Sequence, residues 1–177
     1  HDCLPTPEGI QICRDYHIQM PMQSAFIGWK QEPDEYLEHI LGHDRLEKLN
    51  PIKTFRDNNI VVSFGSDAPC TTPDPIAWMD RAVNNDNAGQ AVSVQDALRM
   101  CTYNGAWAAF DEQERGSLEA GKIADMAVLS ENPYTVPKDK LSGLRVERLY
   151  LGGKSYESCR ESILPMMLRG LTSRNKA

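Results

Sequence analysis

Along this chain the spacing of apolar and polar positions changes several times, and each change predicts an element. Thr6-Pro7-Glu8 supplies a cap residue, a proline for the first helical position and an acid for the first turn, so a helix opens there. Its apolar positions, Ile10, Ile12 and Cys13, fall short of a full helical stripe. Residues 18–23, Ile18-Gln19-Met20-Pro21-Met22-Gln23, alternate apolar with polar or proline, the strand-like period of two. Pro21 argues against a central antiparallel strand. A second helix is predicted over residues 34–41, ending at Gly42, and a third over 51–57, with Asn50 as cap and a stop at Asp57-Asn58-Asn59. The apolar, β-branched run Ile60-Val61-Val62-Ser63-Phe64 reads as a strand buried on both faces, as in a parallel sheet.

The best-specified helix begins at Ser93. Asp96 stands three residues later, as in a capping box, and Val94, Ala97, Leu98 and Cys101 fall at i, i+3, i+4 and i+7. The pattern runs on, less cleanly, through Trp107 to Phe110. Beyond it the grammar changes to the turn-rich stretch Gly116-Ser117-Leu118-Glu119-Ala120-Gly121-Lys122, strand-like runs over 124–129 and 144–151, and a loop holding Pro133 and Pro137. Gly152-Gly153-Lys154 reads as a tight hairpin turn, and 160–171 can be helical. The expected organisation is an α/β region over 1–110, a small β region over 111–157 and a tail over 158–177.

The 177 residues, 41% hydrophobic, suit one domain with a small appendage, able to bury roughly 70% of the unfolded surface. No run approaches the roughly 20 apolar residues of a membrane span and no export leader is evident at the start, but it is the scattered cysteines that make the cytoplasm the default expectation. Nineteen basic against 25 acidic residues give a net charge of −6, which argues against a nucleic-acid partner. Five scattered cysteines, Cys3, Cys13, Cys70, Cys101 and Cys159, fit buried thiols in a reducing compartment better than a disulfide frame or thiolate zinc site.

The segment with chemical promise is Val61-Val62-Ser63-Phe64-Gly65-Ser66-Asp67-Ala68-Pro69. A carboxylate just past the C-terminal end of a buried parallel strand sits where α/β barrels place their catalytic groups, and can ligate a metal ion or take a proton from water. The plainer reading of Gly65-Ser66-Asp67 is a strand-ending turn in which Asp67 caps the next element. His39 and His43, four apart, have Gly42 between them and read as surface histidines, and His17 as a turn residue at the far end of a barrel. Trp78 and Met79 follow the helix start Asp74-Pro75-Ile76 and pack that helix, while Trp107 and Phe110 seal the end of the capped one.

Taken in order, GSDAP after VVSF, then DPI, SVQDALRMCTYNGAWAAF, GSLEAGKIADMAVLSENPYTVP and LRVERLYLGGKSYE resemble the amidohydrolase superfamily. The match is nearest to the broad amidohydrolase-3 group, whose members include N-acyl amino acid and N-substituted formamide hydrolases, and runs from His1 to about Glu157. The resemblance implies an α/β fold. It would comprise the last strands and helices of a (β/α)8 TIM barrel of a metal-dependent hydrolase, plus the C-terminal part of its small β-sandwich. It also implies one or two divalent ions, zinc foremost. In that family an Asp at the end of strand eight ligates a metal and acts as general base, and Asp67 matches it. His1 of His1-Asp2-Cys3-Leu4 matches a ligand at the end of strand six, unless it is a tag remnant and the match accidental. Gln23, in Met22-Gln23-Ser24, resembles the substrate-facing end of strand seven, where members often have M-Q-P; Ser24 departs from that proline.

The family's H-x-H pair, its bridging lysine or carboxylate and its strand-five His have no counterpart here. The resemblance therefore implies the C-terminal portion of a hydrolase of C–N bonds other than peptide bonds, acting on a small amide-type substrate. The N-terminal part of the same protein would supply the remaining ligands. By itself such a portion would be inactive, and its exposed strand edges would favour self-association. The alternative is a non-catalytic fragment, or a regulatory or binding module without metal.

Overall fold

The computed structural model describes residues 3–156. His1, Cys159 and the helix expected over 160–171 lie outside the described residues. Thr6 caps α1 (Pro7–Asp15), its Oγ1 accepting the Gly9 amide at 3.1 Å with Pro7 in the first turn. Ile10 and Cys13, three apart, pack on the core, whereas Ile12 points outward, which is why the apolar spacing looked irregular. The chain then passes to β1 (Met20–Met22), a 3-10 turn (Ser24–Phe26), α2 (Asp34–Leu41), α3 (His43–Leu46), α4 (Ile52–Asp57) and β2 (Val62–Phe64).

β1 and β2 pair in parallel, with Met20 opposite Val62 and Met22 opposite Phe64. The Met20 amide donates to the Val61 carbonyl at 2.8 Å and the Gly65 amide to the Met22 carbonyl at 3.0 Å. In a parallel ladder alternate residues of a strand face one neighbour. Met20 and Met22 therefore face β2, and Pro21, which has no N–H, falls on the edge that does not need one.

Both strands are shorter than the apolar runs that announce them, for one shared reason. The Ile18 amide donates to the Cys13 carbonyl at 2.8 Å and the Ile60 amide to the Phe55 carbonyl at 3.0 Å. These bonds close the preceding helices through left-handed His17 (φ 54°) and Asn59 (φ 60°), a Schellman-type ending used twice. The first apolar residue of each run is thus taken by a helix end before the ladder starts. Asn50 is not the cap of α4: it is left-handed itself (φ 50°), its amide donates to the Cys3 carbonyl at 2.7 Å, and Pro51 holds the cap position without a side-chain bond.

Asp74 caps α5 (Pro75–Val83), its Oδ1 accepting the amides of Ile76 at 3.0 Å and Ala77 at 3.3 Å. Ser93 and Asp96 form a complete capping box on α6 (Val94–Cys101). The helix does not continue to Phe110. Thr102 Oγ1 bonds back to the Leu98 carbonyl at 2.7 Å, its backbone leaves the helical region (φ −124°, ψ −91°), and α7 (Tyr103–Ala108) starts afresh. Phe110 then turns left-handed (φ 59°) and stands 88% exposed, so it seals nothing.

The core lies where the helices cover β1 and β2. Met22, Ile52, Phe55 and Val62 are fully buried there, with Met79 and Ala82 from α5 and Ala97 and Met100 from α6. Leu141 and Leu144, around a 3-10 turn (Lys138–Gly143) that the residue pattern did not foretell, join the same core. The turn-rich stretch beyond α7 is clasped to that helix. Lys122 Nζ donates to the Glu112 carbonyl at 2.6 Å and to Ser117 Oγ at 2.7 Å, and lies 5.6 Å from the Tyr103 ring centre. A second sheet follows, antiparallel in the order β3 (Met126–Leu129), β4 (Val146–Leu151), β5 (Lys154–Tyr156). Its last hairpin turns on Gly152 and Gly153 (φ 57° and 76°), and Val128, Val146, Leu151 and Tyr156 remain exposed.

Candidate active site

Parallel pairing puts the ends of β1 and β2 on one side of the sheet. Gln23 follows β1 and Gly65 follows β2. A Cβ built on Gly65 would lie 3.9 Å from Gln23 Nε2, an ordinary van der Waals distance, so the Gln23 side chain lies alongside the end of β2. Two residues on stands Asp67. Its backbone is left-handed (φ 53°), a conformation Asp tolerates better than most side chains, at a cost of about 1 kcal/mol. The Cys70 amide donates to the Asp67 carbonyl at 2.8 Å, Ser66 Oγ accepts the Ala68 amide at 3.2 Å, and Thr71 Oγ1 donates to the Ser66 carbonyl.

The Asp67 carboxylate is exposed and, among the described residues, makes no hydrogen bond or ion pair. The plain reading of Asp67 as a cap therefore does not hold, because the capping carboxylate of α5 belongs to Asp74. The structure brings Gln23 and Asp67 to the same end of the sheet and leaves the described histidines, His17, His39 and His43, elsewhere. His17 precedes β1, at the opposite end. His43 is exposed, with Nδ1 3.1 Å from Glu38 and Nε2 3.4 Å from Glu47. Among the described residues no group of three or more His, Cys, Asp or Glu could hold a metal ion. A single carboxylate is not a coordination sphere, so these residues do not by themselves fit a metal.

Two cavities lie at the other ends of the strands. The smaller, about 80 Å³, is lined by His17, Ile18, Ile60 and Trp107; the larger, about 410 Å³, by Arg56, Val61, Asp96, Arg99, Tyr103 and Asn104. The charges there are spent on structure. A hydrogen bond to Asp57, opposed by desolvation and supported by Asp96, raises the Arg56 pKa. Desolvation pushes the Asp96 carboxyl up, but the bonds from Ser93 and Arg56 outweigh it and hold it below the ordinary value. Asn104 is a polar residue of this wall that the sequence pattern did not single out: its Nδ2 donates to the Val62 carbonyl at 2.7 Å.

The fold resembles part of a metal-dependent hydrolase from Pyrococcus horikoshii. Its structure superposes on 78% of this chain and 29% of its own, with a TM-score of 0.68 and 23% identity. Residues 10–156 match the amidohydrolase family, and the chain belongs to it. An N-substituted formamide deformylase from Arthrobacter pascens is 34% identical over 152 residues, which are 82% of this chain and 26% of that enzyme. A 5-methylthioadenosine/S-adenosylhomocysteine deaminase from Thermoanaerobacter pseudethanolicus is 31% identical over 100 residues, 51% of this chain and 23% of that protein. The chain thus spans about a quarter of the length of the curated relatives it matches. Among the described residues no helix is long and apolar enough to cross a membrane.

Proposed function

We propose that this chain is the C-terminal portion of a metal-dependent hydrolase that cleaves amide or related C–N bonds other than peptide bonds in small molecules. In this reading residues 1–110 are the last βα units of a TIM barrel, 111–157 the C-terminal part of its β-sandwich, and 158–177 a tail. The observation that carries it is the Asp67 carboxylate, exposed and, among the described residues, unpaired, just past the end of a parallel strand and on the side of the sheet where Gln23 follows β1. The two curated relatives support the bond class, since a deformylase and a deaminase both break C–N bonds.

One or two divalent ions, zinc foremost, would supply a Lewis acid and an acidified water at this end of the strands. The described residues do not complete their ligand set; His1 and the N-terminal part of the same protein would. What this chain would contribute is the Asp67 carboxylate, which could ligate such an ion and would hold a proton at Oδ between water and the leaving nitrogen, with Gln23 facing the substrate. The chain alone, purified with zinc, would hold no tight metal and turn nothing over. In the full-length protein, Asp67→Asn lowers kcat by about 10²–10⁴-fold while the fold is kept. Near-normal turnover in that variant would overturn the reading.

A further inference from the structure

The segment carrying Asp67 leaves β2 at Gly65 and reaches the α5 cap at Asp74, exposed over much of its length. A loop of this kind moves on the nanosecond-to-microsecond scale unless something ties it down. Part of the tie is local: the Cys70–Asp67 backbone bond and the Thr71–Ser66 bond close residues 66–71 around the carboxylate. These bonds shape the turn, but they do not anchor it to the rest of the molecule.

The anchor is one residue of α5. Trp78 Nε1 donates to the Thr72 carbonyl at 3.3 Å, immediately behind the closed turn. The carbonyl of the same Trp78 accepts the hydroxyl of Ser24 at 2.8 Å, and Ser24 is fully buried. Ser24 is the residue after Gln23. Trp78 therefore bonds to both segments that leave the paired strands, the one headed by Gln23 and the one carrying Asp67. A proline at position 24 has no hydroxyl and could not make the first of these bonds.

We propose that Trp78 and Ser24 are positioning residues, a latch that fixes the Asp67 loop relative to Gln23 at the strand ends. The proposal rests on the reading of Asp67 as the working carboxylate. Neither residue touches a reacting atom; each acts by holding backbone. A misplacement of about 1 Å at a reacting group costs up to about 10²-fold in rate, so a loosened latch shows in kcat before it shows in KM.

The test uses the full-length protein with two conservative changes. Ser24→Ala removes the hydroxyl, and Trp78→Phe removes the indole N–H while keeping a ring. Amide hydrogen exchange in a peptide covering residues 66–74 is expected to speed up about tenfold in each variant, with a peptide covering 94–101 unchanged. Turnover is expected to fall by about five- to tenfold in kcat with KM within about twofold. Wild-type exchange over 66–74, or equal acceleration in both peptides, would overturn the latch. Asp67→Asn separates the two ideas. Exchange that responds to the latch variants while Asp67→Asn remains active upholds the latch and removes its functional reading. An inactive Asp67→Asn with no exchange response does the reverse.

Discussion

The side-chain amide of Asn104 donates to the backbone carbonyl of Val62 at 2.7 Å, so a residue of α7 occupies an acceptor on β2. β1 engages Val61 and Gly65, the residues that flank β2, which leaves Val62 facing the other edge. Among the described residues no strand lies on that edge, and a carboxamide serves the acceptor in its place. The break at Thr102 matters here, because it restarts the helix in the orientation that brings Asn104 to the strand.

Asn104→Leu keeps the size of the side chain and strands the Val62 carbonyl without its donor. A loss of about 1–3 kcal/mol is expected, the range for leaving a buried acceptor unpaired. Urea unfolding followed by circular dichroism measures it; an unchanged midpoint would show that water serves the carbonyl equally well.

Gly116 combines a left-handed backbone (φ 85°) with close approach: an added Cβ would lie 2.7 Å from Ala106 Cβ and 3.0 Å from Tyr103 Cα. Gly116→Ala should lose about 2–4 kcal/mol, the backbone and overpacking terms together. Gly152→Asn is the control. Gly152 is also left-handed, but nothing stands within 4 Å, and Asn suits this hairpin turn. Its stability should stay within about 0.5 kcal/mol of the parent, and equal losses at both sites would contradict the crowding argument.

Because folding lowers the Asp96 pKa from its ordinary 3.8, the unfolded chain binds more protons than the folded one in the acid range. This contribution is present above pH 3.8 and is lost as the pH falls through the lower folded-state value. Hydrogen bonds from Lys53 to Asp57 and from Ser117 to Glu119 lower those pKa values too, so the diagnostic is a difference between variants. Unfolding free energy measured from neutral pH down to acid should fall less steeply in Asp96→Asn than in the parent. Parallel curves would remove Asp96 from the acid response.

Burial pushes the Cys101 thiol up to about 12, and its Sγ lies 3.6 Å from the Pro75 carbonyl, whereas Cys70 is exposed on the Asp67 turn. At pH 8, iodoacetamide should modify Cys70 in the native protein and Cys101 only after denaturation. Peptide mapping decides it, and early labelling of Cys101 would mean that the α5–α6 contact opens readily.

Much of the local structure was legible in single residues. Thr6-Pro7, Gly42 after residues 34–41, and Ser93 with Asp96 are short-range signals that satisfy orphan helix amides or stop a helix, and each works within a few residues. Asp67 stood out as a candidate for the same reason, as a carboxylate following a buried run and a glycine. The misreadings cluster where a distant or competing partner intervenes. Asn50 looked like a cap until the Cys3 carbonyl claimed its amide, and Phe110 looked like a core residue until Thr102 broke the helix beneath it. Strand lengths were overread because Ile18 and Ile60, strand-like in pattern, give their amides to helix ends.

The residues by themselves determined the main helices and strands in their order, the alternation that makes parallel pairing possible, and the candidate carboxylate, since these depend on propensity, caps and periodicity along the chain. Only the tertiary structure decided which strand ends meet, that Gln23 and Asp67 share one side of the sheet, and that Ser24, Trp78 and Asn104 hold those ends. Hydrogen bonds spanning 54 residues from Ser24 to Trp78, and 42 from Asn104 to Val62, leave no periodic trace in the sequence. They form because packing brings a donor to a carbonyl, and a lone serine, tryptophan or asparagine carries no sign of that beforehand.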